Sequence, residues 1–420
     1  MKNLLIIYPH WHPANLAGVH RPRLIGNFLP QFGWHPIILT VKEEFFEEVP
    51  DLDFKRTFKD HFEVHRVNAF PLGKIRIFGD IGIRSFWQLY RGAKKIIAAK
   101  EIDFIWIPIP SYYPSLLGRM LYSKYKIPYG IDYIDPWVRD MKNYPSSGLR
   151  QRLALKVAQF LEPIAVKRAS LISGVAKAYY QGVLDRNDKV ANKVDVAMPY
   201  GFDPTDHDIK LDIETPWNHE KNVIPYIYAG AFLPNSVSFF HKFFAVIKGF
   251  KDSNQWNDHI KLYFIGTGLY PGKTIQELAN DYGLSDVVIE KRDRLPFLNI
   301  LYYLGQAQGV LAIGSPSPHY TASKIFQSIL SKRPVFAFFH EKSTVVDILR
   351  ECNADQFLMT YDENKSDKDL NARLENLLRS YFLSEVNWNV KLESLEKYSA
   401  KASAKSLVGG INKALEIRNV

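Results

Sequence analysis

Short continuous apolar runs punctuate the sequence, separated by longer amphipathic or polar stretches. In the first half the runs fall at residues 3–8, 36–40, 103–108, 127–132, 171–174 and 194–198. In the second half they fall at 223–229, 260–265, 287–290, 308–313, 335–339 and 355–360. A strand buried on both faces reads as an unbroken apolar run, so these predict parallel strands. The stretches between them predict helices at 20–32, 74–100, 111–125, 149–169 and 176–184. Further helices are predicted at 236–250, 274–282, 296–304 and from about 321 onward. Strand and helix alternate throughout, which predicts an α/β chain with two doubly wound parallel sheets, one in each half. The polar stretch 204–222 predicts a linker between them.

A chain of 420 residues is too long for one ordinary core, which agrees with two domains. Its 46% hydrophobic and 23% charged residues describe a globular protein, not a disordered one. Cys352 is the single cysteine, which excludes an internal disulfide framework and fits a reducing compartment. The sequence begins without a signal-peptide pattern. No uncharged apolar run reaches the roughly 18 residues that a membrane-spanning helix needs, so a cytoplasmic location is expected.

Charge divides the chain unevenly. Residues 1–205 hold 29 Lys and Arg against 19 Asp and Glu, whereas residues 206–420 hold 25 of each. The excess concentrates in residues 74–168, with 17 basic and 7 acidic side chains. A basic first half suggests an acidic partner: an anionic membrane surface, a phosphorylated acceptor or nucleic acid. Residues 74–100 and 149–169 mix basic with aromatic and aliphatic side chains. That pattern suits a helix lying on an anionic membrane, and equally an ordinary solvated helix face. No recognised nucleic-acid-binding module appears, so nucleic acid is not expected as a partner.

The sharpest chemical candidate lies in residues 308–339, which predict a strand, a Ser/Pro/Gly loop, a helix and a second strand. This is one βαβ unit, and open α/β sheets bind ligands beyond the carboxyl ends of their strands. Thr321, Ser323 and Lys324 are predicted on the first turn of the helix. Amide donors, hydroxyls and an ammonium there make an anion site suited to phosphate. The other reading is an ordinary buried βαβ unit without a ligand. Gly18, Gly230 and Gly266 follow predicted strands, where glycine lets backbone approach a ligand. None of them forms a G-x-G-x-x-G dinucleotide fingerprint. Arg292 and Arg294 precede a helix and are candidate phosphate partners, or else exposed loop charges. Asp132 and Asp135 end a strand, where carboxylates are candidate general bases or hydroxyl-binding groups. Asp135-Pro136 also suits a turn in which the aspartate caps its own backbone. His10, His12 and His20 lack metal-ligand spacing, so no metal site is expected.

Several of these stretches resemble family 4-like glycosyltransferases. Lys324-Ile-Phe-Gln-Ser328 with Ser331-Lys-Arg-Pro-Val335 resembles that family's K-L-F-E-Y … A-G-K-P-V signature. Residues 8–40 resemble its opening, Y-P-P … G-x-x-R … L … G-W-x-P-x-V-L-T. Gly266-Thr-Gly268 resembles its F-x-G-x-G turn, and Pro199-Tyr-Gly-Phe-Asp203 its P-N-G-V-D segment. Asp132-Tyr-Ile-Asp135-Pro-Trp137 resembles the D-x-R-D-P-W motif of one branch.

The resemblance implies the GT-B fold, with two doubly wound Rossmann-like domains facing across a cleft. Residues 1–205 would form the acceptor-side domain and 206–395 the nucleotide-sugar-binding domain. Residues 396–420 would form a helix crossing back to the first domain, with Gly409-Gly410 permitting a bend. The resemblance further implies a nucleotide-sugar donor as substrate, with neither a cofactor nor a metal. The sugar would pass, with retention, to a glycan or lipid-linked acceptor in cell-surface polysaccharide biosynthesis, at the inner face of the membrane. By the same resemblance Thr321, Ser323 and Lys324 hold the diphosphate and Gly18 admits the donor. Gln327 and His319 stand where the family has the two acids of an E-x7-E pattern, and Gln327 would take the ribose. His20 and Arg21 would line the acceptor side, while Asp135, and after it Asp132, would orient or deprotonate the acceptor hydroxyl. Departures from the family are the loss of both acids, Ile134 in place of the branch's Arg, and no basic pair after Gly230. They leave two alternatives open: a non-catalytic nucleotide-sugar-binding protein, and a nucleotide-sugar epimerase on the same fold.

Overall fold

The computed structural model describes residues 1–72, 80–138, 148–187, 194–314, 323–362 and 367–419. The chain divides into two compact units, Met1–Asp203 with Lys397–Val420, and Pro204–Glu396.

The first unit holds a seven-stranded parallel sheet. Its strands are β1 (Lys2–Ile7), β2 (Trp34–Val41), β3 (Glu63–Val67), β4 (Phe104–Ile109), β5 (Tyr129–Tyr133), β6 (Leu171–Gly174) and β7 (Val194–Ala197). Their spatial order is β3-β2-β1-β4-β5-β6-β7. The helices are α1 (Ala17–Gly26), α2 (Phe86–Ala99), α3 (Ser115–Tyr125), α4 (Leu149–Val166) and α5 (Lys177–Arg186). The central strands β1, β4 and β5 have almost every side chain buried, as a sheet covered on both faces requires.

The helix predicted at 20–32 is two elements. Helix α1 begins earlier, at Ala17, and a 3-10 turn at Leu29–Phe32 follows, closed by Gly33 at φ 80°. Part of the helix predicted at 74–100 lies outside the described residues. Beyond it, Asp80 caps a single turn at Ile81–Arg84 by accepting from the Ile83 amide at 3.0 Å, and α2 follows.

The second unit repeats the plan with six parallel strands, ordered β10-β9-β8-β11-β12-β13. These are β8 (Ile224–Ala229), β9 (Ile260–Ile265), β10 (Val288–Lys291), β11 (Gly309–Ile313), β12 (Val335–His340) and β13 (Leu358–Tyr361). The helices are α6 (Val237–Asp252), α7 (Ile275–Asn280), α8 (Phe297–Gln306), α9 (Lys324–Leu330), α10 (Thr344–Glu351) and α11 (Asp367–Leu383). One face of α6 carries Phe239, Phe240, Phe243 and Phe244 into the core, against Phe336 and Phe264. The predicted linker 204–222 is instead packed onto this unit, with Asp206 and Thr215 buried and the Trp217 ring against Tyr263 and Tyr303.

The last helix, α12 (Ala400–Asn419), belongs to the first unit. The Ala400 amide bonds the Phe202 carbonyl at 2.8 Å, and the Ser403 hydroxyl bonds that of Pro199 at 2.9 Å. Gly409 and Gly410 lie inside this helix, which runs unbroken through them. A Cβ at Gly410 would fall 2.5 Å from Val196.

In each sheet the strand order reverses direction once, between β1 and β4 and between β8 and β11. Connections leave to opposite sides there, opening a crevice beyond the strand ends where ligands of doubly wound sheets bind.

Candidate functional site

At the second unit's switch point, β8 ends in Tyr228 and Ala229 and is followed by Gly230, and β11 ends in Ile313 and is followed by Gly314. The Ser236 hydroxyl donates to the Gly314 carbonyl at 3.0 Å, joining the two sides of the crevice. Helix α9 starts at Lys324, three residues later than predicted, with Ser323 as its N-cap residue. The Ser323 side chain makes no capping bond. His319 and Thr321 lie outside the described residues.

Lys324 reaches this crevice. Its Nζ donates to the Tyr228 hydroxyl at 2.9 Å and sits 4.3 Å from the centre of that ring. A ring face stabilises an ammonium electrostatically, so the contact positions the charge without neutralising it. Tyr228 is 2% exposed, and burial pushes its phenol far above the usual range, keeping it a neutral donor. That hydroxyl donates in turn to the Ala231 carbonyl at 2.8 Å. Gly230, at φ 130°, stands beside the lysine: a Cβ there would lie 3.5 Å from its Cδ and 3.6 Å from its Nζ. A side-chain-bearing residue would be strained at that φ.

The neighbouring strand end supplies a second layer. Gly266 (φ 71°) and Gly268 (φ 77°) carry the turn after β9. The turn is tied to its flanks: Phe232 N bonds the Thr267 carbonyl at 2.9 Å, and Gly266 N bonds Lys291 O at 2.7 Å. Arg292 Nε donates to the Gly268 carbonyl at 2.9 Å, and its guanidinium stacks 4.9 Å from the Tyr270 ring centre. Arg294 is exposed. Glu290 organises this loop from β10, accepting from the Thr267 and Tyr270 hydroxyls at 2.6 and 2.7 Å and from the Gln276 amide at 3.1 Å. Gln327, on α9, accepts from His207 Nε2 at 2.6 Å, with the ring taken as its Nε2–H tautomer. Burial lowers the pKa of His207, while the bond to Gln327 opposes that shift. Sequence reasoning missed Tyr228, Glu290 and His207. Of these, Tyr228 had a signal: a hydroxyl one residue before the end of an apolar strand.

In the first unit the structure separates residues that the sequence groups together. Arg21 and Asp132 are both fully buried and bonded to each other, Nε to Oδ2 at 2.9 Å and Nη2 to Oδ1 at 3.2 Å. Ser173 donates to the same carboxylate at 2.6 Å, and Arg21 also reaches the carbonyls of Met198 and Pro199. Neither side chain faces solvent, so in this arrangement neither can touch an acceptor. The Cβ position of Gly18 lies 1.7 Å from the Tyr8 hydroxyl oxygen, so its missing side chain accommodates Tyr8 rather than open space. His20 sits 2.8 Å from the Asn15 amide oxygen and packs 4.5 Å from the Phe54 ring. Asp135 remains half-buried in the turn after β5. Its charge is one of several acidic influences that add to burial in raising the Tyr8 phenol.

Among the described residues no group of His, Cys, Asp and Glu could hold a metal ion. None of the described helices is long and apolar enough to cross a membrane.

No protein-family model and no curated protein sequence matches the chain. Solved structures do match in three dimensions. The Anabaena protein Alr3699/HepE, in complex with UDP and glucose, superposes with TM-score 0.60 at 14% identity, covering 98% of this chain and 100% of its own. WaaG, a glycosyltransferase involved in lipopolysaccharide biosynthesis, gives TM-score 0.55 at 12% identity, covering 99% of each chain. The fold is GT-B. A Listeria monocytogenes chain assigned as a UDP-N-acetylglucosamine 2-epimerase gives TM-score 0.56 at 10% identity, covering 99% of this chain and 98% of that one. At such identities the likeness speaks for the GT-B architecture alone, and function must be argued from the residues.

Proposed function

We propose that this GT-B chain is a glycosyltransferase that takes its sugar from a nucleoside diphosphate sugar, with a uridine diphosphate donor as the first choice. The observation that carries the reading is the position of Lys324, held by Tyr228 beside Gly230 at the switch point of the second sheet. An ammonium fixed there supplies a charge partner for a diphosphate. The UDP complex of HepE, a chain of the same fold, supports the choice of nucleotide. Ser323, Thr321 and the arginines at 292 and 294 are the further candidates for the phosphates. Gln327, with His207 behind it, is the candidate for the ribose.

Catalysis would rest on positioning the donor and stabilising the leaving diphosphate. Retention, independence from metal, and Asp135 as the group orienting the acceptor hydroxyl follow from the resemblance to family 4-like transferases. The acceptor proposed is a glycan or lipid-linked sugar of cell-surface polysaccharide biosynthesis, a reading to which WaaG's role lends support. Peripheral association with the inner membrane face is supported by α4, where Leu153 and Phe160 are 65% and 70% exposed beside Arg152 and Lys156.

The test is incubation with UDP-, GDP- and CDP-linked sugars, following nucleotide release with and without glycan acceptors. Acceptor-dependent release supports the transferase. Conversion of the donor without an acceptor supports an epimerase, a reading favoured by the Listeria structure. Binding without any turnover supports a non-catalytic binding protein, a reading favoured by the replaced acids at His319 and Gln327.

A further inference from the structure

Lys324 and Gln327 stand three positions apart on α9, so they are neighbours on one side of the helix. Gln327 is half-buried, and its Oε1 lies 2.6 Å from His207 Nε2. So short a separation fits a nitrogen facing an oxygen, because two nitrogens would crowd at that distance. The imidazole Nε2–H therefore donates and the amide oxygen accepts.

His207 is 120 positions away in the chain. It sits on the 3-10 turn Pro204–Asp208, where Asp206 is buried and against which α8 packs. The turn belongs to the second unit, so the ring is placed by the body of that unit and not by α9 itself. A partner anchored in this way selects one of the two orientations of the glutamine amide.

The consequence is chemical. A carboxylate offers acceptors only, and it holds a sugar diol by taking up its hydroxyl protons. A glutamine offers an oxygen that accepts and an NH2 group that donates. With its oxygen committed to His207, Gln327 keeps the NH2 group, which has no partner among the described residues. The polar group beside Lys324 is therefore a donor, and whatever meets it must accept. A sugar hydroxyl does so through its oxygen, leaving its own proton for water or another group.

We propose that His207 is a positioning residue that turns the Gln327 amide outward as a donor, so that the site reads the oxygens of the adjoining sugar and not its hydroxyl protons. Under the nucleotide-sugar reading, on which this rests, that sugar is the ribose of the donor.

The experiment has two arms, both on the full chain. In the first, nitrogen-15 NMR of the histidine rings at pH 7.5 locates the proton of His207, whose signals are identified by their loss in His207→Gln. A neutral ring protonated at Nε2 is expected. A proton on Nδ1 would overturn the proposal whether or not a nucleotide binds. In the second arm, calorimetry follows UDP, its 2′- and 3′-O-methyl ethers, the 2′- and 3′-deoxy compounds and inorganic pyrophosphate. An ether keeps the oxygen and loses the hydroxyl proton, whereas a deoxy compound loses both. At least one ether is expected to bind within about twofold of UDP, and its deoxy counterpart about fivefold or more weakly, the scale of one hydrogen bond. In His207→Ala, with folding checked by thermal melts, UDP should weaken about fivefold while pyrophosphate, which has no sugar, keeps its affinity. Should that variant fail to fold, the comparison of ethers with deoxy compounds decides. Ethers that lose as much as the deoxy compounds, or equal losses of UDP and pyrophosphate in the variant, would overturn the role of His207 and leave the nucleotide-sugar reading standing. No affinity for UDP, GDP or CDP would overturn both.

Discussion

Arg21 and Asp132, 111 positions apart in the chain, meet at 2.9 Å with neither side chain exposed. The pair joins α1 to β5, and through the Met198 and Pro199 carbonyls it reaches the segment after β7. Removing one member leaves the other charge buried and uncompensated, which typically costs about 3–5 kcal/mol. Asp132→Ala should therefore lower unfolding stability by about that amount in denaturant titrations. A stable Asp132→Ala chain that had lost only transfer would instead return Asp132 to the catalytic group.

Asp135 differs from Asp132 in being half-buried in the turn beyond the strand. Asp135→Asn is expected to reduce transfer by two or more orders of magnitude, in the range of general acid–base contributions. Donor affinity should stay within about threefold. Equal loss of turnover and donor binding would mark Asp135 as a turn-forming residue only.

His207 yields a pH prediction. Burial holds its folded pKa below the ordinary histidine value, more than the bond to Gln327 raises it. The folded state therefore prefers the neutral ring, and stability is complete above the unfolded pKa of about 6.5. As pH falls through that value the unfolded chain takes up the proton first, so stability declines toward the folded pKa. His10 and His12 are shifted in the same direction and add to the slope. Denaturation midpoints should drop between pH 7.5 and 5.5, and His207→Gln should flatten part of that drop. An unchanged slope in the variant would show that His207 does not carry it.

The exposed Leu153 and Phe160 lie seven positions apart on α4, hence on one side of the helix, with Lys156 between them. Binding to vesicles containing anionic phospholipid should weaken as salt rises, and Leu153→Ser with Phe160→Ser should reduce it severalfold. Equal binding to neutral vesicles would contradict membrane association through this face.

Most of the GT-B strand plan was legible because its strands are buried on both faces and read as unbroken apolar runs. Strand β3 was not, because Glu63-Val-His-Arg-Val67 is a half-exposed edge strand rich in charge. Its Glu63 bonds the Lys100 ammonium at 2.6 Å, a partner that no local pattern reveals. The candidate site was legible in part for the same reason. Lys324 opens a helix after a strand and loop, a local arrangement. Tyr228 reads as core, and its contact with Lys324 spans 96 positions. Arg21 and Asp132 look like two independent polar candidates until the fold brings them together.

The central claim is that the crevice at the β8–β11 switch point grips a nucleoside diphosphate through Lys324. The most direct measurement is calorimetric titration of UDP into the full chain and into Lys324→Ala, with folding of the variant verified. UDP is expected to bind the unsubstituted chain, and the variant to lose about 1–3 kcal/mol, roughly 5–150-fold in affinity. No binding of UDP, GDP or CDP at millimolar concentration, or equal UDP affinity in the two proteins, would contradict the account.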